Sequence, residues 1–237
     1  MDPDLSGLDL RRVPGVPETA IDDALVATLP ANEAPAPWAV RSTGMVWMHR
    51  ANPAADDALP EALRRQGATS SFVIGGFVRY TETPVGAYDE VFGVVGYRIG
   101  RQVGATVAFM AVDSATSLVG GRENWSMPKA MASFTGEPAP RREMTAAGTN
   151  EHGWSVRATA GRAAPPVPVF SRARVVQEFA DGSVRGCRLR ARGWSRLTRV
   201  EVEVSSSASL PAWLRSGRHP GATLSGINFS LGVPLPQ

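Results

Sequence analysis

The chain has 237 residues, enough for one large domain with a substantial core. Hydrophobic residues make up 43% and charged ones 20%, an ordinary globular balance, and no apolar run approaches the roughly 20 residues a bilayer-spanning helix needs. The formal net charge of +3 is too small to mark a nucleic-acid-binding protein, and a lone cysteine, Cys187, excludes an internal disulfide framework.

Residues 1–36 read as an N-terminal arm rich in Pro, Asp and Ala, with a short helix expected within 21–29. The arm opens on Met1-Asp2-Pro3-Asp4, without the basic and apolar regions of a signal peptide. With the single cysteine, that gives the expectation of a cytoplasmic protein. Residues 37–237 read as one domain, because no repeat or linker divides them. Strands are expected at 40–49, 71–82, 90–99 and 103–112, and short helical turns at 56–65, interrupted by Pro60. Asp113 and Ser114 offer an N-cap for a short helix over 113–119, ended by Gly120-Gly121. Further strands are expected at 131–135, 142–147, 154–160, 167–179, 185–192, 196–204 and 222–231. About ten short strands with few helices imply an antiparallel barrel or sandwich.

The densest basic stretch runs from Arg185 through Arg188, Arg190, Arg192 and Arg196 to Arg199. Arg188, Arg190 and Arg192 alternate with Leu189 and Ala191, the period of a strand with one wet face. Only Trp194 could stack on a base, so a solvated strand face or a subunit contact is favoured over a nucleic-acid partner. Cys187, inside the same strand pattern, reads as a small buried residue.

The chain holds 24 arginines but a single lysine, Lys129. A bias toward arginine can strip lysine from a surface that needs only positive charge. It cannot strip a lysine whose amine must do chemistry, because a guanidinium stays protonated and is a poor nucleophile. Lys129 also sits among aromatic, thioether and small residues, where an amine is easily desolvated. Other site types fail. His49, His152 and His219 are scattered, and no Gly-x-Ser-x-Gly elbow, Walker loop or dinucleotide fingerprint occurs. In the strand over 71–82, Phe72, Ile74, Gly76, Val78, Tyr80 and Glu82 share a face. That places Glu82 either at the rim of an apolar cavity or in the following turn.

Two motifs then carry a resemblance. Gly121-Arg122-Glu123-Asn124-Trp125-Ser126-Met127-Pro128-Lys129 resembles the Gly-Arg-Glu...Pro-Lys signature of the acetoacetate decarboxylase family. The segment from Tyr80-Thr81-Glu82 through Pro84-Val85-Gly86-Ala87-Tyr88-Asp89-Glu90 is similar to that family's Tyr-x-Glu and Pro-Val-Gly-x-Tyr-x-Glu segment, and Pro37-Trp38 to its N-terminal start. The resemblance implies a mainly β, cone-shaped antiparallel barrel with an apolar internal pocket, assembled into homo-oligomers. It implies that Lys129 is the Schiff-base residue, that Glu82 is the acid-base carboxylate, and that Arg122 and Glu123 belong to the substrate site. Trp125 and Met127 are the candidates to line it. No cofactor, metal, nucleic acid or membrane is implied; the partner is a small keto acid.

The chemistry needs these types. A neutral amine adds to a ketone and loses water to give an iminium, which accepts the electrons of a breaking bond. An ordinary lysine is neutral about once in 2,500 molecules at pH 7, so a pocket must shift it by roughly 3 units. The chain departs from the family where the decarboxylases carry a second lysine, since Ala130 stands there, and residues 71–79 hold no carboxylate. An ionised Glu82 beside Lys129 would also raise the lysine pKa. The expectation is therefore a keto-acid lyase of secondary metabolism, acting by decarboxylation or by aldol addition and dehydration. The alternative is a non-covalent ligand-binding barrel or cyclase that ignores the amine.

Overall fold

The computed structural model describes residues 10–236. Among these, β1 (Trp38–Arg50), β2 (Thr69–Glu82), β3 (Tyr88–Ile99), β4 (Gln102–Val112), β5 (Lys129–Gly136), β6 (Glu143–Gly148), β7 (Ser155–Ala160), β8 (Val167–Glu178), β9 (Val184–Ser205), β10 (Gly217–Leu231) and β11 (Leu235–Pro236) form one sheet. The helices are short: α1 (Asp23–Val26), α2 (Ala54–Asp57), α3 (Glu61–Arg65), α4 (Ala115–Trp125) and α5 (Leu210–Trp213). The expected mainly β, closed architecture is what the chain adopts. Its pairings are antiparallel except where β4 runs parallel to β5 and touches β8. The β4–β5 pairing is parallel because α4 forms a crossover between them.

The sheet closes twice. β1 to β7 follow in order, β7 joins β9, β9 joins β10, and β10 returns to β1. β4 also meets β8 at Ala105 and Val175, and β8 pairs along β9, so β1–β4, β8, β9 and β10 close a second ring. Alternation along each strand sends side chains to opposite faces, and the two rings use opposite faces of the strands they share.

The first ring is filled by Met45, Trp47, Phe77, Val91, Phe109, Ala130, Met144, Val156 and Val200, most of them wholly buried. Burying one side chain of this size contributes about 1.5–3 kcal/mol. The second ring encloses Trp38, Val40, Tyr80, Tyr88, Met110, Val112, Val175, Cys187 and Leu231, and α4 adds Leu118, Val119 and Trp125 to the same cluster. Cys187 is buried as its strand pattern suggests, and burial pushes its thiol up to about 11.

Two elements differ from the sequence reading. The helix begins after the Ser114 cap, as expected, but α4 runs on through Gly120-Gly121 and ends at Ser126 in the left-handed region. The glycines do not stop it because they serve packing. A Cβ on Gly120 would stand 2.6 Å from the Trp38 ring, and one on Gly121 2.5 Å from Lys129 Cδ. The two strands expected at 185–192 and 196–204 are one 22-residue strand, β9. Gly193 marks a bend rather than an end. Its missing Cβ would lie 2.7 Å from the Gly226 carbonyl, where the β9–β10 register shifts. There β9 passes from the second ring to the first.

The described part of the N-terminal arm lies on the sheet. The Val16 amide donates to the Ala108 carbonyl at 3.1 Å. The wholly buried Glu18 carboxylate accepts from Ser206, Ser209 and the Leu210 amide. The expected arm helix is present as α1, capped by Asp22, and residues 1–9 lie outside the described part.

Candidate active site

Lys129 opens β5. Ala130 and Ala132 fill the first ring, so alternation turns Lys129 and Met131 toward the second. The parallel register sets Lys129 beside Met110. The lysine stem lies across the bare face of Gly121, and the residue is 3% exposed.

The amine meets three side chains. Glu90 Oε2 stands 3.0 Å away as an ion pair, with both side chains 4% exposed. The Nζ donates to Ser117 Oγ of α4 at 2.9 Å and, more weakly, to the Tyr88 hydroxyl at 3.5 Å. It also lies 5.0 Å from the centre of the Tyr88 ring. The other oxygen of Glu90 accepts from the Tyr80 hydroxyl at 3.1 Å, and the two tyrosine rings pack at 4.5 Å. Tyr88, Glu90 and Phe92 share one face of β3. On β2 the residue opposite Glu90 is Val78 and the one opposite Tyr88 is Tyr80.

Burial is the largest influence on Lys129 and favours the neutral amine. The charge of Glu90, with Tyr88 and hydrogen bonds to both, outweighs it and leaves the pKa above the ordinary lysine value. Burial likewise raises both tyrosines, Tyr80 strongly, with Glu90 adding to the rise. The site is therefore a buried, hydrogen-bonded cluster of an amine, a carboxylate, two phenols and a hydroxyl.

Glu82 does not occupy the place expected of it. It is the last residue of β2, with a side chain 69% exposed, and pairs with Arg41 at 3.2 Å. The sequence contains Tyr-x-Glu twice, as Tyr80-Thr81-Glu82 and Tyr88-Asp89-Glu90. β2 ends at Glu82, where its register against β1 shifts between Arg41 and Ser42. The second copy begins β3 and runs inward, which places Glu90 on the amine. That signal was present in the Pro-Val-Gly-x-Tyr-x-Glu segment; strand direction decides between the copies.

Arg122 has a different task from substrate binding. It is 1% exposed, and its guanidinium donates to the carbonyls of Lys129 (2.6 Å), Leu10 (2.6 Å) and Thr19. Burial pushes its pKa down to about 10. It ties the arm to the backbone of the lysine. Glu123 is half-buried on α4. Trp125 and Met127 join the apolar cluster of the second ring, and the Trp125 indole donates to the Gly232 carbonyl at 2.7 Å while packing edge-on against Trp38. Ser117, Tyr80 and Tyr88 were not singled out from sequence as site residues.

The acetoacetate decarboxylase (ADC) family model matches residues 26–206. The chain belongs to the acetoacetate decarboxylase family. Its fold is similar to that of an acetoacetate decarboxylase from Legionella pneumophila subsp. pneumophila str. Philadelphia 1, with a TM-score of 0.62, 16% identity, and 89% of this chain and 92% of that one covered. It is also similar to the enduracididine biosynthesis enzyme MppR complexed with the condensation product of pyruvate and imidazole 4-carboxaldehyde (TM-score 0.58, 13% identity, 86% and 90% covered). An acetoacetate decarboxylase-like enzyme from Sphingomonas wittichii RW1 aligns with a TM-score of 0.59 at 15% identity, over 86% and 94%. No curated protein matches the chain. In this family member no described helix is long and apolar enough to cross a membrane.

Proposed function

We propose that this chain is a keto-acid lyase in which Lys129 forms the imine and Glu90 carries the proton. The observation that supports it is the Lys129–Glu90 contact of 3.0 Å, with both side chains 4% exposed, made by the one lysine of the sequence. Two opposite charges in such surroundings are costly to keep, and in this reading the amine passes its proton to the adjoining carboxylate before it reacts. The freed amine adds to the ketone carbon of the substrate. Protonated Glu90 then gives its proton to the departing hydroxyl, water leaves, and the iminium remains.

From the iminium, two outcomes share one intermediate. A β-carboxylate leaves as CO2, its bonding electrons pass to the iminium nitrogen, and an enamine results. Alternatively, loss of a proton from the carbon beside the iminium gives an enamine that attacks an aldehyde, and water is then eliminated. The family name supports the first and the MppR complex, whose product joins pyruvate to an aldehyde, the second. Ala130 in place of a second cation leaves burial and proton transfer to Glu90 as the means of activating the amine.

One observation favours a second reading, a non-covalent binding chamber. The carboxylate holds the lysine pKa up, toward the ammonium form. Borohydride reduction in the presence of pyruvate or acetoacetate separates the two. An adduct on the peptide containing Lys129, absent in Lys129→Ala, is the expected result. No adduct with either acid on folded protein gives the chamber to non-covalent binding.

A further inference from the structure

A lysine ammonium has three donors and no acceptor. Among the described residues three side-chain oxygens face all three: Ser117 Oγ at 2.9 Å, Glu90 Oε2 at 3.0 Å and the Tyr88 hydroxyl at 3.5 Å. The fourth direction is the lysine's own stem, laid across Gly121. Passing one proton to Glu90 therefore does not by itself make the amine available. Its lone pair would point at an oxygen already in place, and a ketone carbon can approach only where one of the three moves away.

The three are not equally fixed. Glu90 is held from both sides, by the amine and by the Tyr80 hydroxyl at 3.1 Å, and its chain neighbours Asp89 and Val91 are buried. Ser117 is wholly buried on α4, at the shortest of the three distances. Tyr88 makes the longest contact, beyond the range of a good hydrogen bond. It is also the first residue of β3, directly behind the exposed turn residues Gly86 and Ala87. The oxygen that yields at least cost is the Tyr88 hydroxyl.

Burial raises the Tyr88 pKa, so the phenol keeps its proton at neutral pH and can donate it in a hydrogen bond. Attack by the amine forms the nitrogen–carbon bond and sends the π pair of the carbonyl to its oxygen, where negative charge develops. A ketone that enters in the place of the Tyr88 hydroxyl brings that oxygen beside the phenol. A donor already aimed at such an oxygen stabilises the charge with little reorganisation.

We propose that Tyr88 is a catalytic residue of the imine-forming step: its hydroxyl gives way to the ketone and then donates a hydrogen bond to the carbonyl oxygen. The proposal rests on the imine reading and adds to it. Glu90 remains the proton carrier. It protonates the oxyanion, takes a proton back from the nitrogen and returns it to the hydroxyl that leaves as water, so the phenol is still protonated at the end.

The test is Tyr88→Phe in the full chain, which removes the hydroxyl and keeps the ring that packs on Tyr80 at 4.5 Å. Two reactions of Lys129 are followed on its peptide in the native chain and the variant. Borohydride trapping with acetoacetate or pyruvate needs both the amine and the carbonyl oxygen. Alkylation by acrylonitrile needs the neutral amine but brings no carbonyl. In Tyr88→Phe, trapping is expected to slow about 100-fold, while alkylation keeps its rate or quickens because one oxygen has left the amine. Slowing of both to the same degree would mean that Tyr88 only sets the state of the lysine, and overturns the catalytic role. So does trapping at the native rate. No adduct in the native chain refutes the imine reading itself, whereas equal trapping in both proteins keeps the imine and refutes Tyr88 alone. If thermal melting shows that Tyr88→Phe does not fold, 3-fluorotyrosine at position 88 takes its place. This stronger donor is expected to speed trapping, and an unchanged or slower rate overturns the role.

Discussion

Phe77 and Tyr80 lie three residues apart on β2 and face opposite rings. Around Phe77, every ring strand supplies an apolar side chain to the first ring except β10, and none of the cluster is ionisable at neutral pH. Around Tyr80, the second ring holds a lysine, a glutamate and two tyrosines. One closed ring spends its volume on cohesion. The other accepts the cost of buried charge, and its neighbour supplies the rigidity that holds those charges in place.

The sharpest way to break the comparison is to empty the first ring. Phe77→Ala should lower unfolding stability by about 3–5 kcal/mol, the range for a large core truncation. In chemical denaturation that appears as an earlier midpoint, while borohydride trapping by the folded protein stays unchanged. Loss of trapping in the folded variant would show that the two rings are not separable. Gly121→Ala is the converse. Its methyl would collide with Lys129 at 2.5 Å, displacing the amine from Glu90 and Ser117. A misplacement of about 1 Å costs about 100-fold in rate, to be read as slower imine formation with a modest change in melting temperature.

Glu90→Gln sharpens the contrast through pH. Removing the carboxylate removes what raises the lysine pKa and leaves burial, which lowers it. The pH dependence of trapping should therefore shift to lower pH, and turnover should fall because the proton carrier is lost. A profile that stays in place would mean that Glu90 does not set the state of Lys129. The same ion pair affects stability. Since the folded lysine pKa is raised, its contribution is present below the ordinary value of 10.5 and disappears as pH rises through the higher folded value. Alkaline unfolding should thus be blunter in Glu90→Gln than in the native chain.

Much of this was legible in the residues. A composition with one lysine, and the Gly-Arg-Glu...Pro-Lys motif that contains it, point to the family and to a candidate nucleophile from local information. Alternation also predicted the wet arginine face of β9 and the buried Cys187, because strand periodicity is a local property. Strand partners are not local. Whether Glu82 or Glu90 meets the amine depends on where β2 ends and β3 turns inward, and that is set by the hairpin register. Arg122 reads as a polar motif residue, but in the structure it ties the backbone of Lys129 to an arm more than 100 residues away. The glycines of α4 looked like a stop until Trp38 and Lys129 were seen to occupy their bare faces. The sequence by itself therefore determined the fold class and the family, and singled out Lys129 as the candidate amine. Only the tertiary structure decided which carboxylate it meets, which arginine merely braces it, and that the barrel closes twice, because each of these depends on contacts between segments distant in the chain.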